Sequence, residues 1–366
     1  MVKLGLELVN LTKKFAGFTL GPLNLKVNDN EILVMIGPTG SGKTTILNLI
    51  AGLLKPDGGS IFVDGIDITN LPVESRRIGY TFQKPSLFPH LNVFENIVFG
   101  LTKKRSKKND SDLEIKKMIE DLGISHLTYR QIQGLSGGEM QKVSLARMLV
   151  TKPKIMLMDE PLVHLDTPTK RKWRLELRRI LRRQNVPTIF VTHYEDDIYA
   201  LADSVSILQD GMIEYTDKLE SILKTSKNND LTSPFLSNIL SSREGNYLEG
   251  NVIKSKNGVT TFKVGSYLLE TLGDYSSGSK VGILVMSEDI ILSREMVKTS
   301  ARNVVEAKVV KITNSNVGVV DVRLLIDTFH VTSRITEEAR IDLQINENDS
   351  IFAIFKASSP QVVRED

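Results

Sequence analysis

One octapeptide limits what this chain can fold into more than any other stretch: Gly37-Pro38-Thr39-Gly40-Ser41-Gly42-Lys43-Thr44, two glycines separated by four residues and followed by Lys and Thr. Before it runs Ile32-Leu33-Val34-Met35-Ile36, an apolar run that reads as a buried parallel strand. After it Ile46, Leu47, Leu49 and Ile50 recur at helical spacing. Strand, glycine loop and helix in that order form a phosphate cradle. The glycines let successive backbone N–H groups point inward, and the helix start adds its positive dipole end. In such a cradle Lys43 reaches the β- and γ-phosphates of ATP or GTP, and the Thr44 hydroxyl ligates Mg²⁺.

At 366 residues the chain exceeds what one ordinary core organises, so two or three domains are expected. Its 41% hydrophobic and 25% charged residues fit a soluble globular protein, and a net charge of +3 gives no reason to expect nucleic acid. Cysteine is absent, which excludes disulfides, thiolate metal sites and a cysteine nucleophile. Residues 1–10 alternate like a strand and lack the apolar centre of a signal peptide. No apolar run approaches the ~18 residues of a spanning helix. The expected location is the cytosol, with any membrane role exercised through a partner.

To about residue 220, strand-like and helix-like segments alternate. Strands are expected at 4–9, 32–36, 60–63, 155–158, 188–192 and 204–208, and helices at 43–53, 112–122, 137–150, 168–185 and 195–202. That alternation implies an α/β layer architecture with parallel strands. Residues 102–112 read as a charged loop within a helical insertion at about 85–150, and residues 221–247 as a Ser-, Asn- and Lys-rich linker. Beyond it, short β-branched runs with Gly, Asn and Asp turns read as all-β. That part looks duplicated: residues 249–254 resemble 306–311, and 281–285 resemble 351–355. Two small tandem β-barrels are the simplest account.

Ile155-Met156-Leu157-Met158-Asp159-Glu160 is an apolar strand ending in two carboxylates. Beside a phosphate loop, Asp159 would hold Mg²⁺ and Glu160 would act as general base on the attacking water. Leu135-Ser136-Gly137-Gly138-Glu139 opens a helix whose apolar spacing is set by Met140, Val143, Leu145, Ala146 and Leu149, with Ser136 as its cap. Lys170 to Arg183 carries eight basic residues and one acid, Glu176. This stretch is either a solvated outer helix face or a surface for anionic lipid or nucleic acid, its buried side being Trp173, Leu177, Ile180 and Leu181.

The phosphate loop, the Ser136-Gly137-Gly138 helix start and Asp159-Glu160, in this order, resemble the ATP-binding cassette (ABC) ATPases over residues 1 to about 235. The resemblance implies a P-loop NTPase cassette of RecA-like core plus helical subdomain, here followed by an all-β domain of OB-like barrels at 236–366. It implies that Gly37, Pro38, Thr39, Gly40, Ser41, Gly42, Lys43, Thr44 and Thr45 hold ATP, with Phe15 stacked on adenine and Phe18 as its substitute. Thr44, Gln83 and Asp159 would serve Mg²⁺. Gln83 would also sense the attacking water and couple to the transport partner, Glu160 would be the base, and His193 would contact the γ-phosphate. Ser136, Gly137, Gly138 and Glu139, with Asp166 in the interface loop, would complete the site of a second copy, so a head-to-tail homodimer is implied. Val163 and His164 stand where this family places small residues, which bears on the fine geometry of that interface. Met140 replaces its commoner polar residue. Residues 87–97 resemble the stretch that receives a permease's coupling helix; the alternative is packing within the helical insertion.

Tandem β modules behind a cassette resemble the regulatory domain of prokaryotic importer ATPases. Ser300-Ala301-Arg302-Asn303 looks like the opening of a molybdate/tungstate-binding module, and Phe355-Lys356-Ala357-Ser358-Ser359 like its closing strand. Hydroxyls, N–H groups and a cation there suit a tetrahedral dianion. The alternative is that Ser300 and Lys356 merely terminate strands. Met286-Ser287-Glu288-Asp289 replaces the family's Arg-Pro-Glu-Asp, with Met286 at the repeat position of Lys356, so a second anion site there would be impaired. The implied role is the ATPase subunit of an importer on the cytoplasmic face of the membrane. It would work with permease subunits fed by an extracytoplasmic binding protein, with molybdate or tungstate as cargo and no nucleic acid. The alternatives are sugar, sulfate, iron or polyamine import, or a soluble cassette ATPase.

Overall fold

The computed structural model describes residues 4–101, 108–163, 165, 167–226 and 245–365. Its contacts divide the chain into two units, Met1–Asp217 and Lys218–Asp366.

The first unit is built on two sheets. β1 (Leu4–Phe15), β2 (Phe18–Asn28), β4 (Gly58–Val63) and β5 (Ile66–Asp67) form a sheet of order β2-β1-β4-β5, antiparallel throughout. β3 (Ile32–Ile36), β6 (Ile78–Thr81), β7 (Ile155–Asp159), β8 (Thr188–Val191), β9 (Ser204–Gln209) and β10 (Met212–Lys218) form the other, in the order β10-β9-β3-β8-β7-β6. There β9, β3, β8, β7 and β6 are mutually parallel. Every residue of β3, β7 and β8 is buried, as expected of strands covered on both faces. The helix after the phosphate loop, α1 (Lys43–Ala51), packs Ile46, Leu47, Leu49 and Ile50 into one core with leucines of β1 and β2 and with β3, β7 and β8.

Between β6 and β7 lie α2 (Val93–Val98), α3 (Lys108–Asp121) and α4 (Gly137–Leu149); α5 (Thr167–Gln184) and α6 (Glu195–Leu201) flank β8, and α7 (Leu219–Ser226) follows β10. Two readings are corrected. Residues 108–112 are helical rather than loop: Asn109, Asp110, Ser111 and Asp112 look loop-like but belong to a first turn, which favours acidic and small polar residues. The linker is also shorter than 221–247, because α7 reaches Ser226 and the next strand starts at Gly245. Part of the basic face of α5 is paired with carboxylates. Arg182 and Arg178 pair with Asp203, and Arg183 with Asp121 at 3.4 Å, while Trp173, Leu177, Ile180 and Leu181 are buried as the spacing predicts.

The second unit is duplicated, with an exchange. β11 (Gly245–Lys256), β12 (Val259–Val264), β13 (Tyr267–Leu272) and β14 (Lys280–Met286) recur as β16 (Asn303–Asn316), β17 (Val319–Ile326), β18 (Phe329–Thr336) and β19 (Ser350–Phe355). The fifth strand of each repeat crosses to the other sheet. β15 (Ile291–Ser293) pairs with β19, and β20 (Gln361–Glu365) pairs with β14. The sheets are thus β13-β12-β11-β14-β20 and β15-β19-β16-β17-β18, over one shared core. The expected tandem modules are present, but neither is closed by its own last strand.

Candidate functional site

Parallel strands deliver their C-terminal ends to one edge of a sheet, where ligands of open α/β folds bind. Here that edge receives the Gly37–Thr44 loop after β3, Gln83 just beyond β6, Asp159-Glu160 at β7 and Thr192-His193 after β8. The residues are dispersed over more than 150 positions, and strand order brings them together.

Three glycines of the loop are in the left-handed region, Gly40 at φ 84°, Gly42 at 106° and Gly37 at 155°. A Cβ on Gly37 would lie 2.0 Å from the Leu208 carbonyl oxygen, and one on Gly42 would lie 2.6 Å from Leu20. At Gly40 the space is open. Lys43 Nζ donates to the carbonyls of Gly37 and Pro38, both at 2.8 Å, so the ammonium sits over its own loop. Burial lowers the Lys43 pKa, against the pull of Glu160 and Asp159.

The Thr44 hydroxyl hydrogen-bonds to Asp159, and the Tyr80 hydroxyl lies beside it. Burial pushes the Asp159 carboxyl upward; the Thr44 hydrogen bond opposes that rise, the Glu160 charge adds to it, and Lys43 opposes it. Two carboxylates facing one lysine leave the cluster a positive charge short. Hydroxyl and carboxylate oxygens are the hard donors that Mg²⁺ takes alongside phosphate, so the donor set fits that ion.

Glu160 is the junction. Its φ of 44° is a conformation non-glycine residues rarely hold, and its N–H is fixed to the Val191 carbonyl at 3.0 Å. So turned, its Oε2 accepts from Gln83 Nε2 at 3.1 Å and its Oε1 lies 3.0 Å from His193 Nδ1. A carboxylate only accepts, so His193 carries its proton on Nδ1 in this contact. The three residues nominated for the hydrolytic step thus meet on one carboxylate.

Phe15 is 44% exposed at the β1–β2 hairpin tip, 6.3 Å from the Phe18 ring. Phe18 lies beneath the loop, its Cζ 3.3 Å from where a Gly42 Cβ would be, and packs on the core. Phe15 is therefore the ring accessible to a base. Ser136 caps α4 in a capping box: Glu139 N–H donates to Ser136 Oγ at 3.4 Å, and Glu139 Oε2 accepts from Ser136 N at 2.7 Å. The N–H groups of Gly137 and Gly138 begin the helix, beyond the reach of its carbonyls. Asp166 and His164 lie outside the described residues.

Near Gln83, Asn96 fixes the 88–92 turn, its amide donating to the carbonyls of Phe88, Leu91 and Asn92 and accepting from Phe88 N–H at 2.8 Å. Phe99, 59% exposed, packs on Phe88 at 4.2 Å.

In the second unit Asn303 pairs with Phe355, so Ser300–Arg302 and Lys356–Ser358 adjoin at one end of the β16–β19 pair. Ser300, Lys356 and Ser358 are exposed, while Ala301 N–H donates to Thr299 Oγ1 at 3.3 Å. Arg302 forks onto the Glu270 carboxylate at 3.0 and 3.4 Å. Asn303 is buried and mimics a strand residue toward Glu270, accepting from its N–H at 2.6 Å and donating to its carbonyl at 3.0 Å. Met286, at the corresponding place in the first repeat, is buried.

Sequence reasoning missed Tyr80, whose hydroxyl lies 3.2 Å from Asn48 Oδ1 of α1 and is pushed up by burial. It also missed the buried partners of the His193 turn, Arg174 and Asp197. Nothing in the local sequence of these residues marks them.

Comparison with known proteins agrees with this geometry. An ABC transporter family model matches residues 20–163, and a TOBE domain model matches residues 299–360. The molybdate/tungstate import ATP-binding protein of Pyrococcus horikoshii is 35% identical over 98% of this chain and 99% of its own length. The spermidine/putrescine import ATP-binding protein of Mycoplasma capricolum is 34% identical over 84% of each chain. Among solved structures, a post-hydrolysis dimer of an ATP-binding cassette bound to ADP and phosphate superimposes with a TM-score of 0.51 at 31% identity, covering 58% of this chain and 98% of that one. With a near-full-length relative above 30% identity, and with phosphate loop, helix-start signature and paired carboxylates on one sheet edge, the chain belongs to the import ATP-binding subunits of ABC transporters, as a cassette followed by a TOBE domain.

Proposed function

We infer that this subunit hydrolyses ATP with Glu160 as general base, and that it powers import of molybdate or tungstate. The observation that carries the first part is the convergence of Gln83 and His193 on Glu160. Both contacts hold the carboxylate at the sheet edge beside Lys43 and Asp159. From there Glu160 takes a proton from water as the water oxygen bonds to the γ-phosphorus and the bridging β–γ oxygen departs with the ADP. Lys43 exchanges its loop carbonyls for phosphate oxygens, and Thr44 and Asp159 would hold Mg²⁺. Bound there, Mg²⁺ would supply positive charge to the phosphate oxygens.

The site is half of a pair. Gly137, Gly138 and the Ser136 cap present helix-start donors suited to a phosphate of a second copy, supported by the dimeric cassette structure that this chain resembles. The 87–97 segment, held by Asn96 with Phe99 outward, is the surface for the permease, at the cytoplasmic face of the membrane. The near-full-length similarity to a molybdate/tungstate import protein favours an oxyanion over the polyamine of the shorter matches.

Glu160→Gln keeps the size and shape of the side chain, with one acceptor oxygen in place of two, and removes the base. Turnover should fall by at least about a hundredfold, while ATP binding persists and an ATP-dependent dimer accumulates on size exclusion with light scattering. Rapid turnover by this variant overturns the assignment. For an oxyanion site in the second unit, titration calorimetry of the full chain should show heat with molybdate or tungstate and none with sulfate. Because Glu270 holds Arg302, Glu270→Gln should tighten that binding. Absence of heat in both proteins removes the oxyanion site of the second unit while leaving the ATPase reading intact.

A further inference from the structure

α5 is fastened to its surroundings at two places of different character. Toward its end, Arg178 and Arg182 reach Asp203 at the margin of the sheet, partly in solvent. Two turns after its start, Arg174 is 6% exposed and donates from Nε to Asp197 Oδ1 at 2.6 Å and from Nη1 to Asp196 Oδ2 at 3.0 Å. Asp197 is 1% exposed. Burying both charges of a pair is costly, and such pairs add little net stability over an apolar contact. The Arg178 and Arg182 pairs already bind α5 to the fold, so the buried pair invites another explanation.

The second oxygen of Asp197 supplies it. Asp197 Oδ2 accepts from the Thr192 hydroxyl at 2.5 Å, and Thr192 Oγ1 in turn accepts from Tyr194 N–H at 3.0 Å. Thr192 and Tyr194 are the residues on either side of His193. Lys170, four residues before Arg174 and so on the same face of α5, places Nζ 3.9 Å from the centre of the Tyr194 ring, which packs on the His193 ring at 4.0 Å. One face of α5 therefore holds both neighbours of His193. α5 itself starts at Thr167, two residues after Leu165.

We propose that Arg174 is a positioning residue for His193, acting through Asp197 and Thr192 and setting the contact of His193 with Glu160. In consequence the His193 turn moves with α5, the helix that follows the interface loop. This rests on the hydrolytic reading of His193 above.

The test is a set of full-length variants in ATP turnover. Arg174→Met should lower kcat at least about tenfold, the scale on which a small misplacement acts, with the KM for ATP and fluorescence-measured ATP affinity within about twofold of the parent. Thr192→Val should do the same and Thr192→Ser should keep full turnover. Thr192→Val changes one hydroxyl and keeps the test open if Arg174→Met fails to fold. In a His193→Ala background, Arg174→Met and Thr192→Val should cause no further loss, because residues acting through one group are not additive. Multiplicative loss in that background, or a rise in KM at unchanged kcat, overturns the proposal while leaving His193 in its role. If His193→Ala alone turns over at the parent rate, the reading of His193 falls, and this proposal with it.

Discussion

Arg76 shows how one side chain can hold the far end of the phosphate-loop helix. It is 5% exposed, and its guanidinium donates to four carbonyls: Leu49 at 2.9 Å, Ile50 at 2.8 Å, Thr69 at 2.7 Å and Leu71 at 2.9 Å. Leu49 and Ile50 lie in the last turn of α1, where carbonyls lack helical partners and the dipole is negative. That field favours a cation, although burial lowers the arginine's pKa. Gly52 leaves the room; it has φ 82°, and a Cβ there would lie 2.6 Å from Arg76 Nε. Arg76→Met leaves the Leu49 carbonyl its Gly52 N–H but removes the arginine donors from Ile50, Thr69 and Leu71, and should cost about 3 kcal/mol, an unsatisfied buried group costing about 1–3 kcal/mol and the set relaxing in part. Arg76→Lys should recover less than half of this, because a point charge cannot reach the span of a planar fork. Thermal melts read both, and an unchanged Tm for Arg76→Met sinks the idea.

At the scale of elements, legibility followed length and regular period. β3, α1, α4, β7 and α5 were readable because apolar runs or helical spacing continued for a full element and motifs marked their ends. β2 was not, since Gly21-Pro22 interrupts its alternation and the buried phase shifts by one residue between Leu20 and Leu23. α2 escaped notice because its six residues are too few to show a helical period. The members of the site were readable one by one from their motifs. Their meeting on Glu160 was not, because it depends on β6, β7 and β8 being parallel neighbours and on a left-handed backbone at Glu160. In the second unit, Arg302 and Asn303 were nominated for an anion site through their resemblance to the opening of a molybdate/tungstate-binding module. The structure shows both engaged with Glu270 of the other repeat, a partner that sequence distance concealed. Asn246 escaped notice for the same reason. It is buried at the start of β11 and bonds to the N–H and carbonyl of Thr332, at 2.6 and 2.9 Å, as Asn303 bonds to those of Glu270. Each repeat's first strand thus uses an asparagine amide to clamp the other's third strand.

Across the whole second unit, these reciprocal clamps and the exchanged strands make two repeats into one folding body. The first sheet ends in β20, the last strand of the chain, and the second ends in β15, which precedes its own first strand. Thr271 Oγ1 donates to the Pro360 carbonyl at 2.8 Å, and Ser333 Oγ donates to the Ile290 carbonyl at 2.6 Å, so the entries to both exchanged strands are pinned alike. Removing residues 361–366 should therefore damage the repeat farther away in sequence. It strips the partner from β14, whose Ile283 pairs with Val362, and exposes an apolar strand edge of the kind that drives aggregation. The six-stranded sheet and phosphate loop of the first unit contain none of these residues. The chain ending at Pro360 should bind nucleotide within about twofold of the parent, as expected when the sites do not couple. In limited proteolysis its residues 245–300 should become cleavable as readily as 301–360. Retained resistance of both repeats would show that the exchange is dispensable, and cleavage confined to the second repeat would show that each repeat folds on its own strands.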